Sequence, residues 1–166
     1  MKKIAETAFI IQARTQSKRI PNKMVKNFSD SSLFEIAINK LLSSKVIPKE
    51  NIYLSILDDE LIAIANKYKL NIFKRSPESV GERVPLQSLF EWYDKIDYKY
   101  YVMLSACCPL LTIKTIDKFI NNFLDSSSRG LLSVLEKKHF MYDYKSHKML
   151  NNYLGEGHME LLRERV

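Results

Sequence analysis

Four cationic side chains lie within about ten residues, directly after the first apolar segment of the chain: Arg14, Lys18, Arg19 and Lys23. The apolar residues 8–11 predict a short strand, and Pro21 closes the polar loop that follows it. Ser17 adds a hydroxyl to this loop, and its backbone adds N–H groups. A cluster of guanidinium, ammonium and amide groups is suited to a multiply charged anion such as a nucleotide triphosphate.

Alternating strand-like and helix-like segments predict the scaffold that holds this loop. They indicate an α/β fold, a three-layer Rossmann-like sandwich with a mostly parallel sheet. The predicted strands cover residues 8–12, 51–57, 71–73, 100–104 and 131–135. The predicted helices cover residues 31–42, 58–68, 85–93 and 112–123. Ligands of such sheets dock at the carboxyl ends of the strands, so the loop after the first strand is the candidate site.

Capping residues support the predicted helix starts. The pairs Ser31-Ser32 and Asp58-Asp59 precede two helices, and Thr112 begins a strongly amphipathic one. Pro85 is suited to the first position of the remaining helix. We expect that helix to bury four side chains, with Trp92 flanking them: Leu86, Leu89, Phe90 and Tyr93.

The pattern weakens after residue 135. Segments 139–144 and 149–150 are compatible with a hairpin, and 160–166 with the start of a helix. A length of 166 residues predicts one domain over residues 1–166, in which 136–166 would be a partial dimerisation or C-terminal segment. We expect a cytoplasmic protein, because no run of about 20 apolar residues and no signal-peptide pattern is present.

Composition narrows the function classes. The net charge of +7 admits either nucleic acid or a small anionic ligand. Most lysines are scattered, as on helix faces that are exposed to solvent. The sequence contains no basic stripe with interleaved aromatic residues, which is the pattern typical of nucleic-acid binding. Cys107 and Cys108 are adjacent, which indicates free thiols and no disulfide framework. The three histidines show no metal-ligand spacing, so no zinc site is predicted.

Residues 13–23, Ala-Arg-Thr-Gln-Ser-Lys-Arg-Ile-Pro-Asn-Lys, carry a family resemblance. They resemble the N-terminal signature of the sugar-acid cytidylyltransferases. That family includes acylneuraminate (CMP-sialic acid) synthetases, 3-deoxy-manno-octulosonate cytidylyltransferases and spore-coat polysaccharide proteins. The resemblance extends over about residues 7–135.

The resemblance implies transfer of CMP from CTP to a sialic-acid-like sugar, with release of pyrophosphate, for a surface glycan. It implies catalytic roles for Arg14, as a planar phosphate-binding fork, and for Lys18, as a point charge. Ala13, Ser17 and Lys23 would bind the nucleotide. The resemblance also implies a homodimer and a Mg²⁺ cofactor whose ligands the sequence does not identify.

Two further segments extend the resemblance. Residues 75–78, Arg-Ser-Pro-Glu, are similar to an Arg-Pro-Ala-Glu motif whose arginine lies near the cytosine, so Arg75 would help to read the base. The alternative is an ordinary surface arginine at a strand end. Residues 103–112 contain the Pro-Leu pair that family members carry at this place. The resemblance implies that Ser105 and Cys107 contact the ribose or the sugar. The alternative there is that Cys107 and Cys108 are two small buried residues that pack the loop.

Three departures from the family pattern stand out. Cys107 occupies the place of a metal-binding aspartate, although Mg²⁺ prefers hard oxygen ligands. Met24 replaces an asparagine associated with nucleotide contact. Family members continue well past residue 166, and the later part supplies metal-binding aspartates in one branch. Asp58 and Asp59 remain as carboxylates, and both are interpreted as helix caps.

Three hypotheses follow. The first is a cytidylyltransferase acting on an acidic sugar. The second is a truncated or catalytically impaired homologue that keeps the fold and at most binds nucleotide, which Cys107 and the early end of the sequence favour. The third, suggested by charge alone, is a nucleic-acid-binding module. The first is the function that we predict.

Overall fold

The structure is a computed structural model that describes residues 2–81, 84–134 and 142–149. The chain divides into two compact units, Met1–Gly130 and Leu131–Val166. In the described part of the chain, no helix has both the length and the apolar character needed to cross a bilayer.

The first unit contains the predicted alternation of strands and helices. Its strands are β1 (Thr7–Gln12), β2 (Asn27–Phe28), β3 (Ser31–Ser32), β4 (Ile52–Ile56), β5 (Asn71–Lys74) and β6 (Tyr100–Leu104). Its α-helices are α1 (Leu33–Leu42), α2 (Asp59–Tyr68), α3 (Leu86–Leu89) and α4 (Ile113–Asp125). A small hairpin, β2 paired with β3, was not predicted, and it leads directly into α1.

The four longer strands form one parallel sheet in the order β5-β4-β1-β6. The chain passes from β1 outward to β4 and β5, and then crosses to β6 on the other side of β1. The direction of winding therefore reverses between β1 and β6, which is the topological switch point where open α/β sheets bind ligands. The predicted α/β fold with a mostly parallel sheet is confirmed.

One face of the sheet packs against α1, α2 and α4. Phe9 and Ile11 of β1 lie on this face, and Phe34 and Ile38 of α1 are fully buried against it. Successive side chains of a strand point to opposite faces of the sheet. The alternate residues of β1 therefore pack into a second core on the opposite face. Burial of each large apolar side chain contributes about 1.5–3 kcal/mol.

Two of the predicted caps are confirmed. Ser32 is the N-cap of α1 and forms a capping box with Glu35, because each side chain accepts from the other's backbone N–H. Thr112 is the N-cap of α4, and its hydroxyl accepts from the Thr115 N–H at 3.2 Å. Each such cap stabilises its helix by about 1 kcal/mol.

The opposite face of the sheet differs from the prediction. Ala8 and Ile10 pack there against Trp92 and Ile96. The helix predicted from residue 85 is only the four-residue α3, after which Phe90 leaves helical geometry. Leu86 and Tyr93, which were predicted to be buried, are 70% and 59% exposed, whereas the predicted flanking residue Trp92 is 4% exposed. Turning the chain after α3 buries the largest side chain and lets its indole N–H find a partner.

The second unit is described at 131–134 and 142–149. The strand predicted over 131–135 is wrong for its described part, because residues 131–134 have no regular structure and Leu132 is 82% exposed. A strand needs a paired neighbour, and no described strand of this unit pairs with residues 131–134. The predicted hairpin is confirmed where it is described, as β7 (Tyr142–Asp143) pairs antiparallel with β8 (Lys148–Met149). The helix predicted over 160–166 lies outside the described residues.

Candidate active site

A cleft of about 650 Å³ opens at the carboxyl ends of β1 and β5 and reaches the loop after β6. Its walls include all but one of the site residues that the sequence predicts: Ala13, Arg14, Ser17, Lys18, Lys23, Arg75 and Cys107. Ser105 is not among the lining residues. Its exposed hydroxyl accepts from the Cys107 N–H at 3.3 Å and so shapes the loop beside the cleft.

The cationic loop, residues 13–23, is anchored at both ends. Ala13 extends the sheet, because its N–H donates to the Ser55 carbonyl at 3.1 Å. Asn22 has a left-handed φ of 55°, and its carbonyl accepts from the N–H groups of Val25 and Lys26. Met24 is buried in the main core, where it fixes the end of the loop by packing. An apolar residue therefore anchors the loop at the position where the family resemblance leads us to expect asparagine.

Asp58 holds the beginning of the cationic loop. The Thr15 N–H donates to Asp58 Oδ2 at 3.0 Å, and the Thr15 hydroxyl donates to Oδ1 at 2.6 Å. Asp58 occupies the N-cap position of α2, but its side chain makes no capping hydrogen bond. The interpretation of Asp58 as a helix cap is therefore wrong, because its carboxylate does not cap α2. The carboxylate instead joins the chain at the end of β4 to the chain at the end of β1.

Arg14 reaches across the cleft to the loop that follows β5. Its Nη1 donates to the carbonyl of Val80 and to that of Gly81, the latter at 2.7 Å. The guanidinium carries three further N–H groups beyond the two on Nη1. Arg14 thus links the cationic loop to the opposite wall and still carries donors for a ligand.

Arg75 is almost fully buried beneath the same loop. Its Nε donates to Ser79 Oγ at 3.0 Å, and its Nη2 donates to the Ser79 carbonyl. Burial lowers the pKa of Arg75, and the nearby Glu91 carboxylate opposes this effect. The geometry shows that Arg75 positions residues 76–81. Its implied role as a reader of the base stays a prediction.

Glu91 holds the other end of that loop and gives a pH-dependent prediction. Its Oε1 accepts from the Ser76 N–H at 2.6 Å, and its Oε2 lies 3.3 Å from Lys95 Nζ. Partial burial on its own raises the pKa of Glu91. The hydrogen bonds from Ser76, Ser79 and Lys95 together outweigh burial and place the pKa below its ordinary value.

A carboxylate with a lowered pKa stabilises the fold above its unfolded pKa, and this contribution is lost as the pH falls through its folded pKa. We therefore expect Glu91→Gln to be less stable than the wild type at neutral pH, and the difference to shrink below the ordinary pKa of 4.5. Urea unfolding at several values between about pH 3 and pH 7 measures it. Glu78→Gln, at an exposed carboxylate, is the matched control. A pH-independent difference for Glu91→Gln would contradict this account.

The far wall of the cleft is the loop after β6. Lys23 Nζ donates to Cys107 Sγ at 3.1 Å, so the exposed thiol is paired with a cation. Lys40 of α1 fixes the same loop, because its Nζ donates to the carbonyls of Cys108 and Pro109 at 2.8 and 2.5 Å. Partial burial lowers the pKa of Lys40.

The protein groups that line the cleft do not fit a Mg²⁺ ion. Its described walls contain no carboxylate, and no group of three potential metal ligands exists among the described residues. Cys107 supplies a soft thiol to the cleft, whereas Mg²⁺ takes hard oxygen ligands. Asp58, the carboxylate beside the loop, is engaged with Thr15.

Gln12 is a lining residue that sequence reasoning missed. It is the last residue of β1, and its Oε1 accepts from the indole Nε1 of Trp92 at 2.9 Å. The two residues are separated by 80 positions, and no local pattern links them. Only the polar type of Gln12 at the carboxyl end of a buried strand could have drawn attention to it.

These features define a class of protein: an α/β fold with a cationic cleft at its topological switch point, as in nucleotide-binding enzymes. A family model described as Cytidylyltransferase matches residues 8–160. The chain belongs to this cytidylyltransferase family.

Two curated relatives illustrate the relationship. An uncharacterized protein of Methanocaldococcus jannaschii is 30% identical over 141 residues, which are 81% of this chain and 56% of that protein. A pseudaminic acid cytidylyltransferase of Campylobacter jejuni is 29% identical over 76% of this chain and 57% of its own length. The chain thus spans little more than half the length of these relatives.

Solved structures show the same fold. A cytidylyltransferase from Leptospira borgpetersenii has a TM-score of 0.61 and 26% identity, covering 75% of this chain and 51% of that one. A CMP:2-keto-3-deoxy-manno-octonic acid synthetase, solved with CTP, has a TM-score of 0.58 over 72% of this chain and 47% of its own. At 13% identity, the second likeness concerns the fold alone.

Proposed function

We propose that this chain transfers CMP from CTP to an acidic, sialic-acid-like sugar and releases pyrophosphate. The observation that carries the proposal is the position of the cationic loop in the switch-point cleft. Lys18, Arg19 and Lys23 all line that cleft together with Arg14. Membership of the cytidylyltransferase family supports CTP as the donor.

In the proposed reaction, a sugar hydroxyl oxygen attacks the α-phosphorus of CTP. A new oxygen–phosphorus bond forms, the bond to the β-phosphate bridging oxygen breaks, and the hydroxyl proton passes to solvent. Negative charge grows on the departing pyrophosphate, so fixed cations accelerate the step. Lys18 and Lys23 act as point charges on the phosphates, Arg14 contributes its remaining N–H donors, and Ser17 with the Ala13 backbone contacts the nucleotide.

The acidic sugar is proposed from the relatives, two of which are named pseudaminic acid cytidylyltransferase. A surface glycan would be the destination of the activated sugar. The proposal also includes a cytoplasmic homodimer and a requirement for Mg²⁺. Because the described cleft walls do not suit this ion, the nucleotide phosphates are the proposed Mg²⁺ ligands, and no residue of the chain is assigned to it.

Thermal unfolding with CTP, UTP, ATP and GTP, each with and without Mg²⁺, tests the donor. We expect the largest rise in Tm with CTP and Mg²⁺, because a ligand at 100 times its Kd stabilises a fold by about 2.7 kcal/mol. Pyrophosphate release from CTP with pseudaminic, N-acetylneuraminic or 3-deoxy-manno-octulosonic acid then tests the acceptor.

The two measurements separate the proposal from its alternative. No shift with any nucleotide would overturn the CTP site. A CTP-selective shift without pyrophosphate release for any acidic sugar would identify an impaired homologue that only binds nucleotide.

A further inference from the structure

We infer that Gln12 reads the nucleobase in this cleft, and that Trp92 sets which end of the Gln12 amide meets the ligand. With its oxygen directed at Trp92, Gln12 presents its N–H donors to the ligand, and these suit the adjacent acceptors N3 and O2 of cytosine. The inference rests on the proposed function and adds to it the residue that selects the base.

The orientation of the Gln12 amide follows from its partner. An indole N–H is only a donor, so the atom 2.9 Å from Trp92 Nε1 must be the amide oxygen. The amide nitrogen, with two N–H donors, is therefore directed away from the indole. Gln12 is half-buried and lines the cleft, which gives a bound ligand access to it.

Trp92 is held firmly enough to act as an orienting group. Its ring is 4% exposed and packs with Ala8 and Ile10 on the sheet. The ring centroids of Tyr101 and Phe90 lie 5.2 and 5.8 Å from that of Trp92. A large side chain enclosed in this way has one position, so its hydrogen bond fixes Gln12 rather than following it.

The distribution of charge indicates which part of a nucleotide meets Gln12. Lys23 donates to Cys107 on the β6 side, which places its ammonium group at that end of the cleft. On the β5 side, Arg75 donates to the hydroxyl and the carbonyl of Ser79. The apolar residues Val84 and Leu89 also line the cleft. A nucleoside triphosphate placed with its phosphates at the lysines has its base toward the β5 side, over the end of β1.

Cytosine matches a residue that directs its N–H donors at the base. Its N3 and O2 are neighbouring acceptors, whereas uracil carries a donor at N3. A site built to hydrogen-bond one pattern rejects the other, because a mismatched buried polar group is left unpaired. Gln12 in the fixed orientation therefore favours CTP over UTP.

The test compares Kd values by calorimetry for CTP, UTP and inorganic tripolyphosphate. Gln12→Met keeps the length of the side chain and removes both donors. We expect it to weaken CTP binding about tenfold or more, and to leave tripolyphosphate binding within about twofold of the wild type. Gln12→Glu keeps an acceptor for the Trp92 N–H but offers the ligand an acceptor in place of donors. We therefore expect the preference for CTP over UTP to fall further than in Gln12→Met.

Trp92→Phe tests the positioning role. It keeps the aromatic packing and removes the indole N–H, so the Gln12 amide becomes free to rotate. We expect the ratio of UTP to CTP Kd values to fall, and the double variant with Gln12→Met to show no additional loss of that ratio. A role limited to stability would move the Tm and leave the ratio unchanged.

The outcomes distinguish this inference from the proposed function. If wild-type protein binds tripolyphosphate and CTP, but Gln12→Met keeps the wild-type CTP affinity and base preference, the inference is overturned and the proposed function survives. If wild-type protein does not bind CTP, both fail. A loss of CTP affinity in Gln12→Met with unchanged tripolyphosphate affinity supports both.

Discussion

Arg14→Ala is expected to lower kcat/KM for CTP by about 30- to 1,000-fold, which corresponds to the loss of about 2–4 kcal/mol of transition-state stabilisation. The substitution removes a cation from the cleft, and it also removes the donors that hold the carbonyls of Val80 and Gly81. Steady-state pyrophosphate release measures the effect. Arg129→Ala, which removes an exposed arginine outside the cleft lining, is the matched control and should leave kcat/KM unchanged.

Arg14→Lys separates the two roles of the guanidinium. Lysine restores a positive charge but has no planar fork with which to bridge two carbonyls and a phosphate. We expect tripolyphosphate affinity to recover more fully than kcat/KM. Wild-type kcat/KM in Arg14→Ala would contradict the assignment of this residue to the active site.

Asp58→Ala is expected to lower the free energy of unfolding by about 2–3 kcal/mol and to raise the KM for CTP. The variant loses both hydrogen bonds from Thr15, at 3.0 and 2.6 Å, and leaves the Thr15 N–H without its carboxylate partner. Because that N–H lies at the start of the cationic loop, the loop should lose order along with stability. Urea unfolding and steady-state kinetics measure the two effects.

Asp59→Ala is the matched control for Asp58→Ala. It removes the same charge from the next residue, an exposed position in the first turn of α2. We expect only the loss of a helix-dipole interaction there, about 0.3–1 kcal/mol, and an unchanged KM. Asp58→Asn keeps one acceptor for the Thr15 N–H. Its free energy of unfolding and its KM for CTP should lie between those of Asp58→Ala and Asp59→Ala. Equal effects of Asp58→Ala and Asp59→Ala would mean that α2, and not the loop, is what Asp58 supports.

The sequence was sufficient to predict the parallel sheet because its signals are local. The strands β1, β4, β5 and β6 are short apolar runs, and α1 and α4 carry both helical periodicity and capping residues. The cationic loop was predictable for the same reason, since its residues are contiguous. Its place at the switch point then follows from the order of strands and helices alone.

The parts that were not predicted depend on partners far away in the chain. Asp58 looked like a helix cap because the sequence contains no sign that its carboxylate meets Thr15, 43 positions earlier. The sequence likewise contains no sign that Gln12 pairs with Trp92. The helix predicted over residues 85–93 was wrong in its length. Apolar residues at helical spacing do not reveal that the chain turns after Phe90 to bury Trp92. In the α3 segment, tertiary contacts override helical periodicity.

The position of β1 at the centre of the sheet has a consequence for biosynthesis. One edge of β1 pairs with β4, which ends at Ile56, but the other edge pairs with β6, which ends only at Leu104. About 48 residues must be added after Ile56 before β6 is complete, which takes roughly 2–10 seconds at about 5–20 residues per second. Throughout that interval the nascent chain presents the backbone edge of β1, whose residues 8–11 are all apolar, so the growing polypeptide should be a client for ribosome-associated chaperones until β6 emerges.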